Sequence, residues 1–308
     1  MIDANYETTA RRDFDRARIR EIMGRALTVL RNSDDELLSL KDVTSIVKPV
    51  GEQYRGIQTV PIRLIAGSEG RYEDFNKHFL PRRRNLRERW ERVDLAYHQE
   101  INLPSIKLYR VGSAYFVRDG NHRVSVAVAQ GVEYIDAEVV ELSTEVQLRP
   151  GMNIQELTNA VTEIEKKRFL EATKLDQLRP DYVPAFTVPG GYDELVRHVH
   201  GHKEHITGGQ PDELPFEEAM LSWYDNVLVP IVSMIREQSM LGGFPGRTEA
   251  DLYVWMIRHW EQLRSEYRYV FPLRKAVTEY ARRYRTRFWH GICKAVDRLR
   301  GRRVSRGL

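Results

Sequence analysis

The chain has 308 residues, of which 42% are hydrophobic and 30% are charged, and its formal net charge is +4. The hydrophobic fraction is sufficient for a packed core and excludes a disordered chain, the length suits two domains, and the mild positive charge permits an anionic partner without requiring one. The single cysteine, Cys293, excludes an intramolecular disulfide framework, and no apolar run approaches the roughly 20 residues of a membrane-spanning helix.

The N-terminal residues lack the apolar core of a secretory signal, so we expect a soluble, cytoplasmic protein. The first predicted element is an amphipathic helix over residues 12–32, with an apolar stripe at helical spacing and an arginine-rich opposite side. This side would suit a nucleic acid or a membrane, but the pattern favours a packing helix with a solvated face. A short helix through Leu40, capped by Ser33 or Asp34, completes an N-terminal helical segment over residues 1–40.

Strands are predicted next, over residues 42–47, where β-branched side chains are frequent, and over residues 59–66, with a loop at 51–56 between them. A flexible segment, Gly-Ser-Glu-Gly-Arg, follows at residues 67–71. Glycines just beyond a strand allow the backbone to approach a ligand closely. Glu69 and Arg71 are therefore candidate site residues, although Glu69 is equally well interpreted as an exposed loop residue.

Residues 72–99 are predicted to form a helical insertion, and five arginines lie between Arg82 and Arg89. Such a run could pair with the phosphate of a nucleotide or of a nucleic acid. The alternative is a solvated surface in which Glu88, Glu91 and Asp94 neutralise the arginines.

A strand–turn–helix–strand unit is predicted over residues 115–142. The strand at 115–118 leads into an Asp-Gly-Asn turn at 119–121, and a helix over 122–130 is followed by a strand at 135–142. Gly131 stands where a helix-terminating glycine belongs.

The first turn of a helix carries unpaired N–H groups and a partial positive charge, which makes it an anion site. Here two side chains that can be positive, His122 and Arg123, lie on that turn, and an arginine can hold a phosphate with two parallel hydrogen bonds. Asp119 is placed to hold a metal ion, a ribose hydroxyl or a proton. In the alternative interpretation, Asp119 only caps the helix and Arg123 only pairs with a surface carboxylate.

The Asp-Gly-Asn-His-Arg turn at residues 119–123, followed by a helix of small residues, a glycine and a Val-rich strand, resembles the corresponding turn of the ParB/sulfiredoxin superfamily. The version closest to it is the Asp-Gly-His-His-Arg of free serine kinases. Residues 60–65 resemble the first strand of ParB domains and residues 103–108 the strand entry of sulfiredoxins. The likeness extends roughly over residues 43–145. Asn121 stands where sulfiredoxins have their catalytic cysteine, so sulfinic acid reduction is not expected.

The resemblance implies an α/β (α+β) nucleotide-binding domain over residues 41–149 that holds a nucleoside di- or triphosphate (ATP, ADP or CTP) with Mg²⁺. Phosphoryl transfer or nucleotide hydrolysis is the implied activity. The expected cofactor-binding residues are Gly120, Asn121, His122, Arg123 and Arg71. Asp119 and Glu69 are expected to be catalytic, Glu69 being the nearest candidate for the glutamate that activates the serine hydroxyl in free serine kinases.

A mainly helical domain is predicted over residues 150–308, and it resembles a helical domain of unknown function that accompanies some bacterial ParB-like proteins. Its helices are expected at 153–175, at 217–235 with a kink or restart at Pro230, and at 252–267 with Thr248 as N-cap. The histidine run at 198–205 raises the question of a metal site, but Gly201 interrupts it and no nearby cysteine completes it, so the pattern favours a structural or surface role over metal binding.

The last stretch, residues 273–307, is strongly basic, with twelve Lys or Arg between Arg274 and Arg306. Together with residues 82–89 it motivates the alternative of a DNA-associated regulator with a nucleotide switch or a degenerate pocket. No helix-turn-helix pattern after residue 145 supports that alternative. A homodimer is a further possible assembly, and an interaction protein that binds nucleotide without turnover is the third interpretation.

Overall fold

The structure, a computed structural model, describes residues 2–30, 35–208 and 214–267. The chain forms two units, residues 1–161 and 162–308. The predicted basic helix at residues 273–307 and the predicted cap at Ser33 or Asp34 lie outside the described residues.

The first unit contains the sheet and the helices that cover it. Its elements are α1 (Ile2–Leu30), β1 (Leu38–Ser39), α2 (Leu40–Val47), β2 (Gly51–Pro61), β3 (Ile65–Ser68), α3 (Arg87–His98), β4 (Ile106–Val111), β5 (Ala114–Asp119), α4 (Asn121–Ala129), β6 (Tyr134–Ser143) and the first half of α5 (Ile154–Thr173). Short 3₁₀ turns precede β3 and α3, at Ile62–Leu64 and Arg84–Leu86.

The six strands form one mixed sheet in the order β1-β3-β5-β4-β6-β2. Strands β1, β3 and β5 run parallel to one another, β4 is antiparallel to β5 and parallel to β6, and β2 closes the far edge antiparallel to β6. The prediction of an α/β fold is thus confirmed.

Alternate side chains of β5 point to opposite faces of the sheet and pack into two separate cores, as the two-residue period of a strand requires. Tyr115 and Val117 join a core with residues of α1, α3 and α4, whereas Ala114 and Phe116 join a core with residues of α2 and α5. Phe14 on α1 is fully buried in the first of these cores. The long N-terminal helix is therefore a packing helix, and it begins ten residues before the predicted start.

The predicted strand–turn–helix–strand unit is confirmed to within one or two residues by β5, α4 and β6. Gly120 provides the bend between β5 and α4 at φ +108°, a backbone conformation that side chains other than glycine disfavour.

Three predictions upstream of this unit are wrong. Residues 42–47, predicted as a strand, belong to helix α2, because Ser39 caps its first turn and Leu40, Val43 and Val47 bury one side of it. Residues 51–56, predicted as a loop, are the first half of the long strand β2, which pairs along its whole length with β6. The predicted helix through Leu40 is also absent, since Leu38 and Ser39 form β1 beside β3.

The second unit is helical, as expected. Beyond α5 it contains α6 (Leu175–Leu178), α7 (Gly191–Ile206), α8 (Phe216–Trp223), a π turn (Tyr224–Leu228), α9 (Val229–Glu237), a 3₁₀ turn (Met240–Gly243) and α10 (Glu249–Tyr267). Pro230 lies at the start of α9, so the predicted restart is confirmed. The predicted cap is confirmed too: Asp251 N–H donates to Thr248 Oγ1 (3.2 Å) and Thr248 N–H to Asp251 Oδ2 (3.0 Å).

None of the described helices combines the length and the hydropathy that a crossing of the lipid bilayer would need.

Candidate functional site

The two predicted ligand-binding segments leave the sheet at the same edge. Strands β3 and β5 are parallel neighbours, Ser68 pairs with Val117, and Glu69 N–H donates to Val117 O at 3.0 Å. The segment at residues 69–71 and the turn at 119–123 therefore follow the carboxyl ends of adjacent parallel strands. In open α/β sheets this edge is where ligands bind.

The turn into α4 is tight and has no side-chain cap. A Cβ on Gly120 would lie 2.5 Å from Cγ2 of Ile106, so the backbone passes as close to β4 as only a glycine allows. Val124 N–H donates to Gly120 O at 3.0 Å and closes the first helical bond. No described side chain caps the N-terminus and no acidic residue lies in the first turn, so the N–H groups of residues 121–123 retain their hydrogen-bonding capacity.

Asn121, the first residue of α4, is 7% exposed, and its Oδ1 accepts no hydrogen bond from any described residue. A buried polar atom without a partner is costly in a finished structure. This oxygen is therefore a position at which a bound ligand could supply the missing donor.

His122 is buried and neutral. Its ring packs edge-on against Phe75 with 5.4 Å between centroids, and Nδ1 has no hydrogen-bond partner among the described residues. Burial and, to a smaller extent, the positive charges of Arg89 and Arg71 together lower the pKa of His122 to about 4. The prediction that His122 carries positive charge at the turn is wrong, because the imidazole loses its hydration in the core.

Arg123 is held by the protein itself. Its Nη1 donates to the carbonyl oxygens of Pro104 and Ser105, the latter at 3.1 Å, and its Nη2 donates to Asp119 Oδ2 at 2.5 Å. The guanidinium thereby joins the loop before β4 to the end of β5. Arg123 therefore pairs with a carboxylate, as the alternative interpretation of the sequence predicts. The side chain of Asp119 remains 58% exposed.

Two other arginines bring positive charge to the turn. Arg71 and Arg89 both act electrostatically on His122. Arg71 pairs with Asp74 at 3.2 Å and keeps 44% of its side chain exposed. Arg89 is exposed on α3 and forms no ion pair with any described residue. Arg71 is one of the predicted cofactor-binding residues. Arg89 was predicted only as part of the arginine run at residues 82–89, because the packing of α3 against α4, which brings it to the turn, cannot be read from the sequence.

The arginine run at residues 82–89 is largely neutralised. Arg82 pairs with Asp35 and Glu36, Arg83 with Glu73 and Asp74, and Arg87 with Asp15 and Glu91. The expected positive field is therefore reduced mainly to the contributions of Arg84 and Arg89.

The two expected catalytic carboxylates lie near the same edge but in different surroundings. Burial raises the pKa of Tyr109, and the charge of Glu69 adds to this rise. Arg118 covers the Tyr109 ring at 5.4 Å. Because successive strand residues face opposite sides, Asp119 lies on the other face of β5 from Arg118. The carboxylate of Glu69 is therefore close to the face of the sheet that carries Tyr109 and Arg118. Asp119 belongs to the other face, where its carboxylate accepts a hydrogen bond from Arg123.

The histidine run in α7 is divided among separate partners. His198 Nδ1 lies 3.1 Å from Tyr253 Oη, His202 Nε2 lies 3.0 Å from Ser222 Oγ, and the His200 ring packs against Phe216. Among the described residues, the run is in no group of three or more ligating side chains.

No protein-family model matches the chain, and no curated protein and no solved structure is significantly similar to it. The likeness of the turn to ParB/sulfiredoxin proteins therefore depends on residues 119–123 and on their strand–turn–helix setting.

Proposed function

We propose that the turn into α4 binds the phosphate groups of a nucleotide, and that the first unit is a nucleotide-binding domain of the ParB/sulfiredoxin type. The observation that carries this proposal is the uncompensated N-terminus of α4, where no described side chain caps the helix and no carboxylate lies in the first turn. Three N–H groups and the positive end of the helix then favour an anion.

The arginines make the site selective for a highly charged ligand. Arg71 and Arg89 are close enough to His122 to lower its pKa, and both are exposed. A di- or triphosphate would pair with both guanidinium groups while the helix N-terminus holds one phosphate. Gly120 lets the backbone come close to this phosphate, and Arg123 positions the turn through its bonds to the loop and to Asp119.

Asp119 is the carboxylate best placed for Mg²⁺. It ends β5 beside the proposed phosphate position and its side chain is mostly exposed. Mg²⁺ in nucleotide sites is commonly held by one or two carboxylates together with the phosphates. Phosphoryl transfer or nucleotide hydrolysis would then depend on the metal and on the arginines to stabilise charge on the transferred group. Glu69 would enter as a general base only if the acceptor approached from its side.

The test is calorimetric titration of the protein with ATP, ADP and CTP, with and without Mg²⁺. We expect at least one nucleotide to bind, and the variants Arg71→Gln and Arg89→Gln each to weaken binding about 10- to 100-fold, because each removes a charge-assisted hydrogen bond worth about 1.5–3 kcal/mol. The control is Arg92→Gln, which removes an exposed arginine of α3 that pairs with Glu88 at 2.9 Å. The proposal would be refuted if none of the nucleotides bound, or if a variant with both Arg71→Gln and Arg89→Gln bound nucleotide as tightly as the unsubstituted protein.

The alternative of a DNA-associated regulator has less support from the described residues, because Arg82, Arg83 and Arg87 are occupied by carboxylates. It makes a separate prediction: duplex binding that strengthens steeply as the salt concentration falls.

A further inference from the structure

A second cluster of polar side chains lies in the first unit, where α1, α3 and the end of α4 meet. Asp13 comes from α1, Asp94 and His98 from α3, and Gln130 follows α4 directly. One ligand atom from each of Asp13, Asp94 and His98 lies within 4.8 Å of the other two, and this is the only such group of three among the described residues.

Hydrogen bonds alone leave this cluster incomplete. His98 Nε2 lies 3.2 Å from Asp13 Oδ2 and 3.3 Å from Asp94 Oδ2, but one N–H cannot be directed well at both oxygens. Gln130 Nε2 donates to Asp13 Oδ2 (3.0 Å) and to Asp94 Oδ1 (2.7 Å). Asp94 is fully buried, and its Oδ2, which faces His98, has no hydrogen-bond partner among the described residues.

The same distances suit a metal ion. Ligands bonded to zinc at about 2.0–2.2 Å in tetrahedral geometry lie about 3.3–3.5 Å apart, close to the separations of His98 Nε2 from both carboxylate oxygens. Asp94 and His98 are four residues apart and therefore share one face of α3, the spacing by which a helix commonly supplies two ligands. A cation at this point would satisfy Asp94 Oδ2 and both neighbouring ligands together.

We propose that Asp13, Asp94 and His98 bind a divalent transition-metal ion, with Zn²⁺ or Mn²⁺ as the expected class, and that Gln130 is a positioning residue for both carboxylates. Two oxygen ligands and one imidazole suit these ions better than Mg²⁺ or Ca²⁺, which prefer oxygen ligands alone. His98 also lines an open surface pocket of about 590 Å³ together with Tyr97 and Asn102, so its imidazole can be reached from solvent. The ion would hold α1 against α3.

The proposed metal site shares no residue with the proposed nucleotide site, so either proposal can fail without the other. The metal experiment uses the full chain after dialysis against EDTA and contains no nucleotide. Co²⁺ is added first, since its visible absorption reports the coordination geometry, and Zn²⁺ is then titrated in competition. Thermal unfolding is followed in parallel.

We expect one equivalent of Co²⁺ with the intense absorption of a four-coordinate site, displacement by Zn²⁺, and a higher melting temperature with metal. His98→Gln should weaken the affinity at least about 100-fold, whereas His78→Gln, a substitution of an exposed histidine in the same unit, should leave it unchanged. Asp94→Asn is the stricter variant, and His98→Gln keeps the test decisive if Asp94→Asn does not fold.

Two results would overturn the proposal. One is metal binding with the same stoichiometry and affinity in His98→Gln as in the unsubstituted protein, which would place the ion elsewhere. The other is no binding at 1 mM metal, in which case hydrogen bonds alone hold His98 and Gln130 to the two carboxylates.

Discussion

The N-termini of α4 and α7 share one backbone design and differ in charge. Both helices follow a glycine in the left-handed region, Gly120 at φ +108° and Gly190 at φ +86°, and neither glycine provides a side-chain cap. At α7 the carboxylate of Glu165 accepts from Gly190 N–H at 2.7 Å, and two acidic residues lie in the first turn. At α4 the described residues supply no such carboxylate. The protein neutralises one helix terminus internally and leaves the other able to take an anion from outside.

The buried histidines of the two units repeat this contrast. Burial lowers the pKa of both His122 and His198 to about 4. His198 Nδ1 faces Tyr253 Oη at 3.1 Å, and the same hydroxyl accepts from Trp223 Nε1 at 3.1 Å. His122 Nδ1 has no partner among the described residues. The buried imidazole of His198 thus belongs to a hydrogen-bonded group with Tyr253 and Trp223, whereas the buried imidazole of His122 has no such group around Nδ1.

The largest effect is expected from Gly120→Ala. The new methyl group would need a disfavoured backbone angle and would lie 2.5 Å from Ile106, so we expect a loss of about 2–6 kcal/mol in the free energy of unfolding. Gly131→Ala, at the other end of α4, is the matched control: φ is +75° but no atom lies within 4 Å, and only about 1–2 kcal/mol should be lost. Urea denaturation of both variants measures the difference. Equal losses would mean that the start of α4 is not closely packed on β4.

The buried histidines His122 and His198 should make the protein less stable in acid, and only the pKa of His122 should respond to an added anion. Because the folded-state pKa of His122 is about 4 and the unfolded value is about 6.5, the unfolded chain binds more protons between these values. The free energy of unfolding therefore does not depend on the titration of His122 above pH 6.5. As the pH falls below this value, protonation of His122 in the unfolded chain lowers the free energy of unfolding, by about 3 kcal/mol at pH 4. His198 should behave alike.

NMR titration of the imidazole Cε1–H resonances tests this prediction. Saturating pyrophosphate should raise the pKa of His122, since the anion offsets the charges of Arg71 and Arg89, and should leave that of His198 unchanged. A value near 6.5 for His122 in the free protein would contradict the burial described for it.

A moderate effect is expected at the compensated helix. Glu165→Ala removes the carboxylate that serves Gly190 N–H, so we expect a loss of about 0.5–2 kcal/mol. Glu163→Ala, at an exposed position of the same helix, should change the unfolding free energy by less than about 0.5 kcal/mol. If the two variants are equally stable in thermal unfolding, Glu165 does not compensate α7 and the contrast with α4 loses its basis.

The smallest effect on stability is expected from the arginines of the proposed site. Arg71→Gln and Arg89→Gln should each change the unfolding free energy by no more than about 0.5 kcal/mol, because both side chains are exposed. The same substitutions should weaken nucleotide binding. Losses of several kcal/mol in thermal unfolding would instead assign these arginines a structural role.

Local signals in the sequence were sufficient for the central unit. Alternating apolar residues, an Asp-Gly-Asn turn and a closing Gly131 define β5, α4 and β6 with little dependence on the rest of the chain. The same reasoning failed at α2, where β-branched residues indicated a strand. There the cap from Ser39 and the burial of Leu40, Val43 and Val47 outweigh propensity.

The charges of the site depend on contacts that no local pattern contains. His122 is neutral because it packs on Phe75, and Arg123 is occupied by the loop at 104–105. Arg89 reaches the turn only through the packing of α3. In the same way Asp13 and His98, 85 positions apart, meet only in the folded unit.

The backbone amides of α4 provide the most direct test of an anion at this turn. In ¹⁵N-resolved NMR spectra recorded during a titration with pyrophosphate, the N–H signals of residues 121–123 should shift in a saturable manner, whereas those of Gly190 and Gly191 at the compensated helix should not. Arg89→Gln should weaken the response without changing the starting spectrum of α7. Equal shifts at both helices, or none at residues 121–123, would contradict the account.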